Sequence, residues 1–381
     1  MEKLVLIGPV YPYKGGISHY TGLMCRALRA QYEVEMVSYK FQYPKLLYKK
    51  EQKDASNESF RIPGTRYMLH TANPANWITC GKEIASWKPK AVIVQWWHPY
   101  FAPCYRVLTG ILKKKGIPVL FVCHNVFPHE RFPLDRLLTK MTLKQGSRYI
   151  VQSAQDQQDL LQIIPDAVFT RTPHPTYNMF KLRGISRAQA REELGISEKE
   201  KMLLFFGFVR EYKGLKYLLL AMRQILEAFP EVRLYVVGDF GKDKEDYLAL
   251  IRQEKLEAHV RIRDGYVPDA EVEPYFAGCD LVVLPYVSAT QSGIVQIAYG
   301  FGKPVVVTRV GGLPEVVQDG ETGYVVEPQQ PEAIADAVNC FFRENKAADF
   351  AVHIDREKQK YSWEVMADRI TELLNRKRTD R

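Results

Sequence analysis

Two doubly wound, mainly parallel α/β sheets, one in each half of the chain, are the fold class this sequence predicts. Three observations carry that expectation. Short apolar runs alternate with segments of helical apolar spacing in both halves. Several of those runs, chiefly in the second half, end in glycine-containing loops, the edge at which open α/β sheets take ligands. The stretch Thr172-Pro-His-Pro175 breaks the alternation with two prolines, as an interdomain linker would. A length of 381 residues suits two domains, each large enough to bury a core. The expected division is residues 1–174, joined by a C-terminal helix over 362–381, and residues 175–361, the two sheets facing across a cleft.

In the first half, Lys3–Ile7 reads as a strand, followed by a loop that runs through Gly15 and Gly16 into a helix over about 18–30. Glycines there let another group approach the backbone, and a helix N-terminus offers unpaired N–H groups to an anion. Glu33–Tyr39 is a second strand. The basic, aromatic stretch holding Lys45, Lys49, Lys50 and Lys53 has no clear period and reads as an exposed loop or short helices. Ala91–Trp97 is a strand that delivers Trp96, Trp97 and His98 into a loop, where aromatics either stack on a sugar or close the core. Ile117–Cys123 is a strand ending at His124, with His129 and Glu130 close behind at the same edge. Tyr149–Ser153 is a further strand.

In the second half a short helix over 186–194 precedes the most informative stretch. Leu203–Phe206 is a buried strand ended by Gly207, and after Gly214 the residues Leu215, Leu218, Leu219 and Met222 recur at helical spacing. The loop between carries Arg210 and Lys213. Two cations over a glycine-relieved turn suit a diphosphate whose charge must be neutralised as it leaves. Strands follow at Val232–Val237, ending at Gly238, at Val260–Ile262, leading to Gly265 and Tyr266, at Asp280–Pro285 and at Pro304–Val307. Ser362 reads as the N-cap of the last helix, whose apolar face is Val365, Met366, Ile370, Leu373 and Leu374.

Apolar content of 46% and charged content of 25% are those of a soluble globular protein. No run reaches the roughly 18 apolar residues of a membrane span, and Leu4–Ile7 is too short for a signal sequence. The six cysteines are scattered, without metal-ligand spacing, and read as reduced thiols of a cytoplasmic protein. The net charge of +9 is unevenly spread: residues 1–150 hold 23 basic and 9 acidic side chains, net +14, and the remainder 30 and 35, net −5. That split points to an anionic partner on the first half. No nucleic-acid recognition motif is present, so an anionic membrane surface or a phosphate-bearing acceptor is the expectation. Leu134, Leu137, Leu138 and Met141 recur at helical spacing among Arg131, Arg136, Lys140 and Lys144, which reads either as a helix packing on its own domain or as one that meets the inner face of a membrane.

In order and spacing, Gly15-Gly16, His124, Gly207 with Arg210 and Lys213-Gly214, the Gly302-Lys-Pro-Val-Val block and Gly311-Gly312-Leu-Pro-Glu315 resemble glycosyltransferase family 4, which has the GT-B fold, and the resemblance runs nearly end to end. It implies transfer of a sugar from a nucleoside-diphosphate sugar, with retention at the anomeric carbon and without a metal or other cofactor. The donor sits on the C-terminal domain, and a glycan, lipid-linked or small-molecule acceptor comes from the N-terminal one. It assigns Arg210 and Lys213 to the donor diphosphate, the Gly16 backbone to the same phosphates and His124 to the donor sugar. Gly15, Gly207, Gly238 and Tyr266 belong to the expected donor surroundings, and Trp97, His98, His129 and Glu130 to the acceptor side. The chain departs from the family where two glutamates eight residues apart are usual: Ala289 and Ile297 stand there. In their place Ser288–Ile294 offers Thr290, Ser292 and the N–H groups of Gly293 and Ile294 to phosphate oxygens, and Gln291 to the sugar.

A dehydrogenase would need G-x-G-x-x-G after the first strand and an acidic residue about twenty further on, which the chain lacks. A same-fold epimerase or phosphorylase is the enzymatic alternative. A catalytically silent glycan- or anion-binding protein is the alternative that the missing glutamates favour.

Overall fold

The computed structural model describes residues 1–48, 50–128 and 133–376. It forms two compact units, Met1–Pro173 with Ser362–Arg381, and His174–Tyr361. In the first unit β1 (Lys3–Ile7) leads to α1 (Gly16–Leu28), β2 (Glu33–Phe41), β3 (Arg66–His70), α2 (Pro74–Ser86) and β4 (Ala91–Trp96). Then come α3 (Ala102–Lys114), β5 (Val119–Cys123), α4 (Asp135–Leu143), β6 (Arg148–Val151), α5 (Ala154–Ile163) and β7 (Phe169–Arg171). All pairings are parallel, in the order β3-β2-β1-β4-β5-β6-β7. The central strands are continuous apolar runs because helices cover both faces of the sheet. Their side chains divide between two cores, Val5, Val92 and Phe121 on one face and Leu4, Ile93 and Val122 on the other.

The second unit runs α6 (Arg187–Leu194), β8 (Lys201–Phe206), α7 (Leu215–Ala228), β9 (Val232–Gly238), α8 (Lys244–Gln253), β10 (Val260–Asp264) and α9 (Val272–Gly278). It continues with β11 (Leu281–Leu284), α10 (Gly293–Gly300), β12 (Val305–Thr308), α11 (Leu313–Val316), β13 (Gly323–Val326), α12 (Pro331–Arg343) and α13 (Ala347–Glu357). Its six parallel strands lie in the order β10-β9-β8-β11-β12-β13. A capping box fixes the start of α6, Ser186 accepting from the Gln189 amide while the Gln189 side chain accepts from Ser186 N–H. The last helix, α14 (Trp363–Asn375), returns to the first unit. Ser362 caps it by accepting from Val365 N–H, and Met366, Ile370 and Leu373 enter the core that holds Leu4 and Ile93.

Two local expectations change, and of the two readings of the 45–53 stretch the loop is the one found. The first helix begins at Gly16 and ends at Leu28. The 45–53 stretch is a loop laid over the β1–α1 connection: Lys14 N–H donates to Gln52 O, Asp54 N–H to Pro12 O, and Tyr13 bridges Lys53. Lys49 and Arg131 lie outside the described residues. The apolar residues of the 134–141 segment do not form one buried face. Leu134 precedes α4 with φ 77°, and Leu134 and Leu137 are exposed, while Asp135, Thr139, Thr142 and Leu143 are buried. Leu138 and Met141 turn towards Trp77, Ala102 and Pro103.

Candidate functional site

In the second unit the strand order reverses between β8 and β11, so the loops leaving those strands diverge and open a crevice at their carboxyl ends. The backbone closes around that crevice only because glycines permit it. Gly238, φ 147°, lies so close to Gly207 that an added Cβ would sit 1.8 Å from Gly207 O. Gly214, φ 68°, ends the turn Glu211–Lys213 with the place of its absent Cβ 1.8 Å from Pro285 O. Further backbone bonds knit the same loops: Gly207 N–H to Val237 O, Val209 N–H to Asp239 O and Val287 N–H to Tyr212 O.

On this frame Lys213 Nζ stands 3.7 Å from the centre of the Tyr286 ring, a close cation–π contact. The Tyr286 hydroxyl is 3.3 Å from Ser292 Oγ, so one aromatic side chain links the lysine to the start of α10. Arg210 lies over the Phe208 ring and donates to Val209 O and Asp239 O. The first turn of α10 leaves amides, Gly293 and Ile294 among them, without helical acceptors. Ile294 is also the side chain nearest Gly207. Lys213 and a helix N-terminus therefore meet through Tyr286, with Arg210 on the same loop against Asp239, an arrangement that receives an anion.

The 288–294 turn is set by the Gly311-Gly312 pair. Gly311, φ 50°, abuts Ala289 O, and Gly312 N–H donates to Thr290 O. Thr290 and Gln291 are half-buried beside it, while Ser292 is buried. Ala289 and Ile297 are buried packing residues, so no carboxylate replaces the usual pair at those positions. Tyr266 donates to Asp269, next to Gly265, whose N–H donates to Gly238 O. Tyr286, which orders both Lys213 and Ser292, was missed by sequence reasoning: inside an apolar run a tyrosine reads as core.

Behind Gly293, buried His174 and Tyr177 form a hydrogen-bonded pair. Burial pushes His174 down to about 4, against a hydrogen bond with Pro175 O that favours its protonated form. An unfolded histidine titrates near 6.5, so the unfolded chain takes up this proton first as pH falls. The stability carried by neutral His174 is whole above pH 6.5 and is lost between 6.5 and about 4, on the order of 3 kcal/mol. Urea unfolding at pH 7 and 4.5 should show a smaller acid loss for His174→Gln than for the parent; equal losses would assign the acid sensitivity elsewhere.

In the first unit the order reverses between β1 and β4. Gly8 packs against Gln95, and Gly15, φ 96°, and Gly16 open α1 with no atom within 4 Å of where a Cβ would stand. His124 follows β5 and is only 6% exposed. Its Nε2 is 2.7 Å from Gln95 Oε1, and its ring meets Tyr20 edge-on at 4.5 Å. That burial makes His124 a packing group as well as a candidate site residue, so His124→Ala would cost stability in addition to any effect on turnover. Trp97 lines an open recess beside Gly15 and Gly16. His98 Nδ1 accepts from Tyr100 N–H and caps a short 3-10 turn. His129 and Glu130 lie outside the described residues. Among the described residues no group of three or more His, Cys, Asp or Glu could hold a metal, and no helix is long and apolar enough to cross a membrane.

Residues 14–174 match the family model described as Glycosyltransferase Family 4, and residues 186–358 match Glycosyl transferases group 1. An uncharacterized glycosyltransferase of Methanocaldococcus jannaschii is 31% identical over 46% of this chain and 45% of its own. The D-inositol 3-phosphate glycosyltransferase of Corynebacterium diphtheriae is 28% identical over 62% of this chain and 57% of its own. The chain thus spans about half the length of these curated relatives. Among solved structures, an Anabaena HepE complex with UDP and glucose has a TM-score of 0.73 at 18% identity, covering 98% of this chain and 99% of that one. The sucrose-phosphate synthase of Thermosynechococcus elongatus has a TM-score of 0.72 at 18% identity, covering 98% of each chain. At such identities the likeness establishes the fold.

Proposed function

We propose that this chain, which belongs to glycosyltransferase family 4 and has its GT-B fold, moves a sugar from a nucleoside-diphosphate sugar to a hydroxyl acceptor. The observation that carries this reading is the link from Lys213 through Tyr286 to the α10 N-terminus in the crevice of the second unit, with Arg210 on the loop that carries Lys213. In the transfer the bond from the anomeric carbon to the diphosphate oxygen breaks, and its electron pair leaves with the nucleoside diphosphate. The acceptor oxygen bonds the same carbon on the same face, and its proton passes to the departing phosphate oxygen. Fixed cations and helix amides stabilise the charge that develops. With that charge met by side chains, the reaction proceeds without metal. His124 and the Trp97 recess belong to the acceptor-bearing unit. The nucleotide complexes formed by fold neighbours are consistent with such a donor.

Incubation with a panel of nucleotide sugars, with and without EDTA, tests the reading. Acceptor-dependent release of nucleoside diphosphate that survives EDTA is expected. Failure with every donor would favour a silent binding protein, isomerised donor an epimerase, and loss on chelation restored by Mg²⁺ a metal-dependent mechanism.

The first unit also fits the inner face of an anionic membrane, where a lipid-linked acceptor would be met. Exposed Leu134 and Leu137 stand beside exposed Arg136, Lys140 and Lys144, so an apolar edge carries a cationic flank. Each cation near such a surface contributes on the order of 1 kcal/mol, and screening weakens this as salt rises. Co-sedimentation with phosphatidylserine vesicles at low salt, fading at 1 M salt and in Leu134→Ser/Leu137→Ser, is expected. Equal pelleting with neutral vesicles would point to a soluble acceptor.

A further inference from the structure

We infer that the recess beside Gly15 and Gly16 is an acceptor subsite for an uncharged sugar ring, an assignment that rests on the transferase reading above. It lies at the carboxyl ends of β1, β2 and β4, where the first sheet reverses its strand order and a ligand crevice is expected. The recess is open to solvent at its mouth, so a ring can enter from that side.

Its wall is aromatic and held in place before any ligand arrives. Trp97 Nε1–H donates to the Tyr43 hydroxyl at 3.1 Å, and Trp97 packs on Phe101 with ring centres 4.2 Å apart. Tyr43 and Tyr48 lie nearly parallel, 23° between planes and 6.0 Å between centres. The Gln52 amide clasps the Tyr43 backbone, accepting from its N–H and donating to its carbonyl. Burial raises the Tyr43 phenol, so the ring stays neutral across the working pH range. A fixed, uncharged aromatic wall presents area at little entropic cost, and the C–H faces of a pyranose match it.

The polar lining is amide rather than ionic. Gln42 and Gln52 line the recess, the Gln52 carboxamide already bonded to the Tyr43 backbone, and Lys14 is the one charged residue lining it among the described residues. A phosphate-bearing acceptor calls for paired or bidentate cations, which arginine supplies best. A ring recognised through hydroxyls calls for neutral donors and acceptors beside an apolar face. The lining corresponds to the second. Lys53, next to Gln52 on the same loop, stands over the Tyr13 ring and does not line the recess.

Saturation-transfer NMR with methyl glucoside, galactoside and mannoside, beside inositol 3-phosphate, tests the assignment on the intact protein without requiring turnover. At least one methyl pyranoside should receive saturation at its ring protons, and Trp97→Ala and Tyr48→Ala should each remove most of it. Tyr48 is only partly buried, so its variant should melt within a few degrees of the parent. In transfer assays Tyr48→Ala should raise the acceptor KM roughly tenfold or less, the range for losing one aromatic contact. Donor KM and acceptor-free donor hydrolysis should be unchanged, and those two readouts report on the transferase reading separately. Absence of any bound pyranoside, binding indifferent to both substitutions, or tighter binding of inositol 3-phosphate than of every pyranoside would overturn the inference.

Discussion

Arg210→Ala and Lys213→Ala are each expected to lower kcat/KM for the donor by about 10²-fold or more, the range for removing a fixed electrostatic stabiliser. Both side chains lie outside the cores, so the folded state should survive their loss. Lys213 gives the sharper outcome because its ammonium stands over the Tyr286 ring. Tyr286→Phe keeps that ring and loses only the contact with Ser292, so it should retain most of the activity. Steady-state kinetics on the three variants check this. Near-parental transfer by the Arg210→Ala/Lys213→Ala double variant would remove the diphosphate from this crevice.

Gly214→Ala should be among the most damaging single methyl additions in the second unit. The residue has φ 68°, and its new Cβ would be built 1.8 Å from Pro285 O, so the β8 and β11 loops must separate. Strain and displacement together should cost about 3 kcal/mol or more, lowering the melting temperature by roughly 10 °C. Because the same two loops carry Lys213 and Ser292, nucleotide affinity should fall with it. Gly184 offers the control, since it too has positive φ, 63°, but nothing within 4 Å of the added carbon. Gly184→Ala should cost only about 1 kcal/mol and leave nucleotide binding alone. Equal melting temperatures for the two variants would show that contact with Pro285 does not constrain the loop.

How far these features can be read from the sequence follows from where each residue finds its energy. The central strands are legible because helices bury both their faces, which leaves an uninterrupted apolar run such as Leu203–Phe205. Of the four outer strands, β10 is read at Val260–Ile262, while β3, β7 and β13 are not. Arg66 and Tyr67 of β3 are exposed and β7 has three residues, so both hold their place by backbone pairing more than by side-chain burial, while β13 is only four residues long and begins with glycine. Arg210 and Lys213 stand out because cations after a strand and a glycine have no packing purpose. Tyr286 and Gln95 do not, since their roles depend on partners far along the chain, Lys213 for the one and His124 for the other. Periodicity misled at 134–141, where Leu134 falls before the helix and Leu137 faces solvent, while buried Thr139 and Thr142 occupy the inner side. Helical spacing states which residues share a face; it does not state which face the fold covers.

The central claim is that the second unit binds a nucleoside diphosphate through Arg210, Lys213 and the α10 N-terminus. Titration calorimetry with UDP, GDP and ADP, each paired with its nucleoside, tests it most directly. At least one diphosphate should bind, its nucleoside should bind at least tenfold more weakly, and Arg210→Ala should remove most of that difference. Tenfold corresponds to about 1.4 kcal/mol, the low end for one charge-assisted hydrogen bond to phosphate. A diphosphate that binds no more tightly than its nucleoside, or equally well after Arg210→Ala, would contradict the account.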